Sequence, residues 1–109
     1  MTLINSSKYG DAAAFLLFAS RKALNEYGLK PIARVVAFAE HSEENEEDFI
    51  VAPYGAARKA LRAADMHYDE IDHWENNEAF ATSPLYLMRE FNIPRLKINS
   101  WGGAIAHGH

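Results

Sequence analysis

Residues Ala12–Ala39 read AAAFLLFASRKALNEYGLKPIARVVAFA, and the order of their parts decides the fold class. Ala12–Ala19 is an unbroken apolar run bounded by Asp11 and Ser20. It has the length of a strand buried on both faces and falls far short of the ~20 residues that span a bilayer. Ser20 is placed to cap a short helix running through Tyr27, with Gly28 as its left-handed stop and Pro31 just beyond. Ile32–Ala39, rich in β-branched residues and Phe, reads as a second buried strand. Strand, helix, strand in that order predicts a layered α/β arrangement rather than an all-α or all-β one.

The pattern continues outward. Glu40–Asp48 (EHSEENEED) has almost nothing to bury and predicts an exposed loop, after which Ile50 and Val51 resume the core. Pro53 precedes a helix over Ala56–Asp65, in which Ala57, Leu61 and Ala64 recur at helical spacing. Arg58, Lys59 and Arg62 cover its other face, as on a solvated helix. Asp69–Trp74 leads into a third strand ending near Asn76, a further helix fills the stretch to Phe91, and Leu96–Asn99 reads as a fourth strand. That strand opens onto Gly102-Gly103-Ala104-Ile105-Ala106-His107-Gly108-His109. Because the chain ends inside this glycine-rich loop, it is expected to be an internal portion of a longer protein.

At 109 residues the chain has the size of one domain. Eleven Lys and Arg against fifteen Asp and Glu give a net charge of −4, which argues against nucleic-acid binding, since that needs clustered basic residues. No stretch reads as a membrane span or a secretory signal, so an intracellular protein, cytoplasmic or mitochondrial, is expected. The absence of cysteine removes disulfides, Cys-ligated metals and any thiol nucleophile supplied by these residues.

Several local constellations carry candidate chemistry. The closing loop is neither a dinucleotide loop nor a P-loop, since it lacks both G-x-G-x-x-G and Gly-Lys-Ser/Thr. Its glycines allow close approach of the backbone and deliver His109, whose ring is suited to proton transfer near neutrality; the alternative is an ordinary terminal histidine. His107 and His109 alone make a poor metal site, and none is expected. Asn77, in Asn76-Asn77-Glu78-Ala79-Phe80, is open to two readings: a helix N-cap, or a carboxamide holding a water or donating to an oxyanion. Ser83-Pro84 is itself a helix-start signal, and a cap at Ser83 would leave Asn77 in a loop. Ser7 reads locally as a turn hydroxyl.

Together these segments resemble the thiolases, specifically the acetyl-CoA acetyltransferases. Asn77-Glu78-Ala79-Phe80 matches the family's Asn-Glu-Ala-Phe motif, and Gly102–His109 resembles its Gly-Gly-Ala-Ile-Ala-x-Gly-His. Asn5-Ser6-Ser7 with Asp11–Ala14 is similar to the Asn-Ala-Ser and Asp-Gly-Ala-Ala stretch. Gly28–Arg34 with Val35–Ala39 is similar to the strand opening the family's second half, and Ala52-Pro53 to its helix entry. Pro31–Glu40 and Trp74–Glu78 look most like the mitochondrial-type acetoacetyl-CoA thiolases.

The resemblance implies a partial thiolase fold in αβα layers, with residues 1–30 ending the N-terminal domain and 31–109 opening the C-terminal one. It implies reversible Claisen condensation of two acetyl-CoA to acetoacetyl-CoA and CoA through an acetyl-cysteine. Both of the family's catalytic cysteines belong to stretches outside these residues, so this chain alone is expected to be inactive. By carry-over His109 activates the nucleophilic cysteine and Asn77 holds a water, together forming an oxyanion hole. Ser7 then bonds the pantetheine arm, Ala79 and Phe80 line the substrate tunnel, and Gly102, Gly103 and Gly108 shape the catalytic loop. No cofactor is required, acetyl-CoA and CoA being substrates, and the full-length protein is expected to be a homodimer or homotetramer. The competing readings are part of a degradative 3-ketoacyl-CoA thiolase and a noncatalytic fragment acting as an interaction module.

Overall fold

A computed structural model describes residues 2–109. Four α-helices follow one another: α1 (Arg21–Glu26), α2 (Ala52–Ala64), α3 (Thr82–Phe91) and α4 (Ala104–His107). Single 3-10 turns occupy Glu46–Asp48, Tyr68–Glu70 and Arg95–Lys97. No helix among the described residues is long and apolar enough to cross a membrane.

Local rules account for the helix ends. Ser20 Oγ accepts from the Ala23 amide at 3.2 Å, satisfying one of the orphan donors of α1, and Gly28 takes φ +62° beyond it. α2 carries Pro53 in its first turn, where no intrahelical donor is lost, and closes on Asp65 at φ 53°. α3 closes on Asn92 at φ 52°, with the Ile93 amide donating back to Met88 O at 2.9 Å. Asp and Asn tolerate this left-handed geometry better than other side chains with a Cβ.

The core is built where α2 and α3 meet. Leu87, Phe91, Ile93 and Ile98 are buried, with Tyr54, Leu61, Tyr68, Trp74 and Met88 packed around them. Phe91 is the hub, its ring centroid 4.8 Å from Tyr54, 5.3 Å from Trp74 and 5.9 Å from Tyr68. On α3 the buried positions Ser83, Pro84, Leu87 and Phe91 follow the helical period, which turns one stripe onto α2.

Among the described residues the expected strands are reduced to two isolated bridges. Trp74 pairs in parallel with Ile98: its amide donates to Lys97 O at 2.7 Å, and the Asn99 amide donates to Trp74 O at 2.9 Å. Ser6 pairs antiparallel with Phe80. The third and fourth strands are therefore one residue pair deep, because Tyr68–Glu70 and Arg95–Lys97 wind into 3-10 turns at their entrances. Ala12–Ala19 and Ile32–Ala39, expected as buried strands, have no ladder among the described residues and lie exposed, Phe15 by 97% and Phe38 by 85%. A strand apolar on both faces is stabilised only when helices cover the sheet and other strands pair its edges. Neither run takes part in a bridge among the described residues.

Candidate functional site

The site is assembled from three segments far apart in sequence. Residues 5–8 run beside 79–81: the Ser7 amide donates to Ala79 O at 3.0 Å and the Ala81 amide to Asn5 O at 2.9 Å. The chain end folds back onto the same segment, the His109 amide donating to Lys8 O at 2.9 Å. This brings the Asn77 carboxamide and the His109 ring together, with Asn77 Nδ2 3.5 Å from His109 Nε2. Both side chains are exposed, so a ligand or another chain can reach them.

Glycine permits the closing loop to pack this way. Gly108 sits at φ +111°, and a Cβ there would lie 2.8 Å from the Gly10 Cα. The reverse also holds, since a Cβ on Gly10 would lie 2.9 Å from His107 O. Gly103 is crowded differently: the Glu78 carboxylate occupies the space a side chain would take. Gly102 meets no neighbour within 4 Å.

Glu78 and Asn99 hold the loop to its support. Glu78 Oε1 accepts from Asn99 Nδ2 at 2.8 Å, and Oε2 accepts from the Ile105 amide at 3.3 Å. Asn99, buried and left-handed at φ 45°, also accepts from the Asn76 amide and donates to Asn76 O, both at 2.8 Å. A carboxylate at the first turn of α4 satisfies one of its orphan amides. Neither residue has a place in the sequence-based site. Glu78 lies inside the motif quoted above, whereas Asn99 and Gly10 carry no local signal.

The structure places the remaining candidates as follows. Asn77 is not a helix cap, for α3 begins at Thr82 with Ala81 at the capping position; nor is Ser83 a cap, being buried inside the first turn beside Pro84. Both alternatives fail because the loop runs five residues past Asn76 before helical bonding starts. Ser7 and Ala79 are joined through the main chain, and Phe80 meets Phe49 edge-on at 6.0 Å. Trp101 is exposed, with its ring on His73, 4.5 Å between centroids. No group of three His, Cys, Asp or Glu side chains able to hold a metal gathers among the described residues.

Comparison with known proteins gives concordant results. The profile of the family described as Thiolase, C-terminal domain, matches residues 29–109. An acetyl-CoA acetyltransferase of Candida albicans is 41% identical over 105 residues, covering 96% of this chain and 26% of the relative. The crystal structure of Acat5 thiolase from Ascaris suum in complex with coenzyme A superposes with a TM-score of 0.88 at 34% identity, over 99% of this chain and 28% of that one. Human mitochondrial 3-ketoacyl-CoA thiolase superposes with a TM-score of 0.86 at 30% identity, over 100% and 27%. The chain thus spans about a quarter of the length of these proteins. Within that span it follows their α/β fold.

Proposed function

The chain belongs to the thiolase family, and from that premise we propose that it carries the histidine and asparagine half of an acetyl-CoA C-acetyltransferase site. The observation behind this reading is the 3.5 Å approach of Asn77 Nδ2 to His109 Nε2 across 32 residues of sequence. An amide and an imidazole brought side by side supply the donor groups that stabilise developing negative charge. In the proposed reaction His109 draws the proton from a cysteine thiol, so that the thiolate attacks acetyl-CoA. CoA leaves with the proton held by His109, a second cysteine thiolate takes a methyl proton from another acetyl-CoA, and the resulting carbanion attacks the acetyl-cysteine. Acetoacetyl-CoA forms, and the expelled cysteine thiolate recovers its proton from the second cysteine. Asn77 positions a water that, with His109, donates to the thioester oxygen as it gains charge.

Both cysteines of that scheme lie in stretches outside these residues, since the chain has none. The same reading gives Ser7 a hydrogen bond to the pantetheine arm, sets Ala79 and Phe80 along the acyl tunnel, and leaves Gly102, Gly103 and Gly108 to shape the loop. It places residues 1–30 at the end of an N-terminal domain and 31–109 at the opening of a C-terminal one. Acetyl-CoA and CoA act as substrates with no further cofactor, in a homodimer or homotetramer of cytoplasm or mitochondria. The coenzyme A in the Ascaris structure supports the substrate assignment by analogy, and the mitochondrial source of the human one supports the compartment.

The test replaces the corresponding stretch of the Candida albicans relative with residues 1–109 and follows acetoacetyl-CoA thiolysis. Activity is expected, with a loss of about 10²-fold or more in H109A and in N77A. A folded chimera that is inactive, or one indifferent to H109A, overturns the reading. The isolated chain is expected to show no thiolysis. An acyl chain-length profile of the active chimera separates this reading from a degradative 3-ketoacyl-CoA thiolase.

A second reading rests on the exposed apolar runs. Phe15, Leu16, Leu17 and Phe18, with Val35, Val36 and Phe38, form bare surface of the composition that normally lies inside a sheet. On this reading the chain is a noncatalytic module that docks on thiolase segments supplying the missing strands. Sedimentation with and without such a partner tests it, and a chain that stays monomeric and unbound rules it out.

A further inference from the structure

Away from Asn77 and His109, a second constellation joins three side chains that the thiolase reading does not use. Ser100 Oγ lies 3.2 Å from His73 Nδ1, and His73 Nε2 lies 2.5 Å from Glu75 Oε1. An ionised carboxylate only accepts, so in the neutral ring Nε2 carries the proton and donates it to Glu75. That fixes Nδ1 as the acceptor and Ser100 as the donor. Hydroxyl, imidazole and carboxylate are thereby ordered as nucleophile, base and orienting acid.

The backbone holds this order in place. His73 and Glu75 flank Trp74, whose main chain is pinned on both sides by the Lys97 and Asn99 bonds of the parallel bridge. Ser100 follows Asn99, whose side chain is itself tied to Asn76 and Glu78. The Trp101 ring rests on the His73 ring at 33° between planes and restrains its rotation. The Ser100 and Trp101 amides meet no acceptor among the described residues, which leaves two donors beside the hydroxyl. Ser100 is exposed, and so is the indole next to it.

We propose that Ser100, His73 and Glu75 form an acyl-transfer site for small acyl esters with aromatic leaving groups, which the Trp101 face receives. The Ser100 oxygen attacks the ester carbonyl while its proton passes to His73 Nδ1. The tetrahedral adduct collapses, the C–O bond to the phenol breaks, and the phenolate leaves with the proton from Nδ1. Water then attacks the acyl-serine, giving its proton to the same nitrogen. Collapse returns that proton to Ser100 Oγ and releases the carboxylic acid. No oxidant, metal or further reactant enters.

The test treats the chain with p-nitrophenyl acetate and locates acetyl groups by peptide mass spectrometry, with p-nitrophenol release followed by absorbance. Acetylation at Ser100 is expected, absent in S100A and slowed about 10²-fold or more in H73Q. E75Q, which leaves the imidazole without its anionic partner, is expected to slow it as well. On the unaltered chain, the acetylation rate is expected to rise as the His73 ring loses its proton, its titration being followed by NMR. No acetyl group on Ser100 in a chain with helical circular dichroism overturns the proposal. So does a rate that ignores the titration of His73, a readout that holds even if the variants fail to fold.

Discussion

Glu78 accepts from Asn99 Nδ2 at 2.8 Å while its other oxygen takes the Ile105 amide at 3.3 Å. One carboxylate therefore ties the buried turn at residue 99 to the first turn of α4, and so sets where the loop carrying His109 leaves the core. The two residues stand 21 positions apart, and neither holds its conformation through its own neighbours alone. Gly103 completes the arrangement by giving the carboxylate room.

E78Q keeps an acceptor for one of these bonds and turns the other oxygen into a donor. Its cost is expected to be about 1–3 kcal/mol, the range for leaving a buried polar group mismatched. N99A loses three side-chain bonds at a left-handed residue and is expected to cost more. Urea denaturation of the two single variants and the double variant measures their coupling, and energies that simply add would sink the linkage claimed here.

G108A is expected to displace His109. Its φ of +111° is poorly accessible to alanine, and the added carbon meets the Gly10 main chain, which has no flexible end to move aside. In the chimera described above, thiolysis should fall steeply while overall stability changes little, because the loop lies outside the aromatic core. Wild-type rates in G108A would refute the requirement for this close approach.

F91A removes the ring that Tyr54, Tyr68 and Trp74 pack against. A loss of about 3–5 kcal/mol is expected, as for other Phe-to-Ala changes in packed cores. Thermal unfolding followed by circular dichroism reports it directly. A loss below about 1 kcal/mol would mean that Phe91 is not the hub of the core.

The Asp69 carboxyl is held below its ordinary value of 3.8, first by the hydrogen bond from the His67 ring and then by the charge on that ring. His67 Nδ1 stands 2.7 Å from Asp69 Oδ1. A depressed carboxyl stabilises the fold above its unfolded value, and that stabilisation drains away as pH falls through the lowered folded value. NMR titration should show Asp69 ionising below 3.8, returning toward that figure in H67A. An unchanged titration in H67A would show that His67 is not the cause.

Features that depend on a few adjacent residues were legible without the fold. The start of α1 at Ser20 and its stop at Gly28 follow from capping and from the freedom of glycine, which act within one turn. The Asn-Glu-Ala-Phe and Gly-Gly-Ala-Ile motifs were legible as strings, and the absence of cysteine excluded a thiol nucleophile from these residues. The rest came from tertiary packing. It took Asn77 out of the capping position and brought it to His109, and it made Glu78 and Asn99 the clasp beneath them. It also left Phe15 and Phe38 bare where their composition reads as interior. Periodicity states which side chains favour burial, but burial and convergence require a second segment at the right place, and that is set by the path of the whole chain.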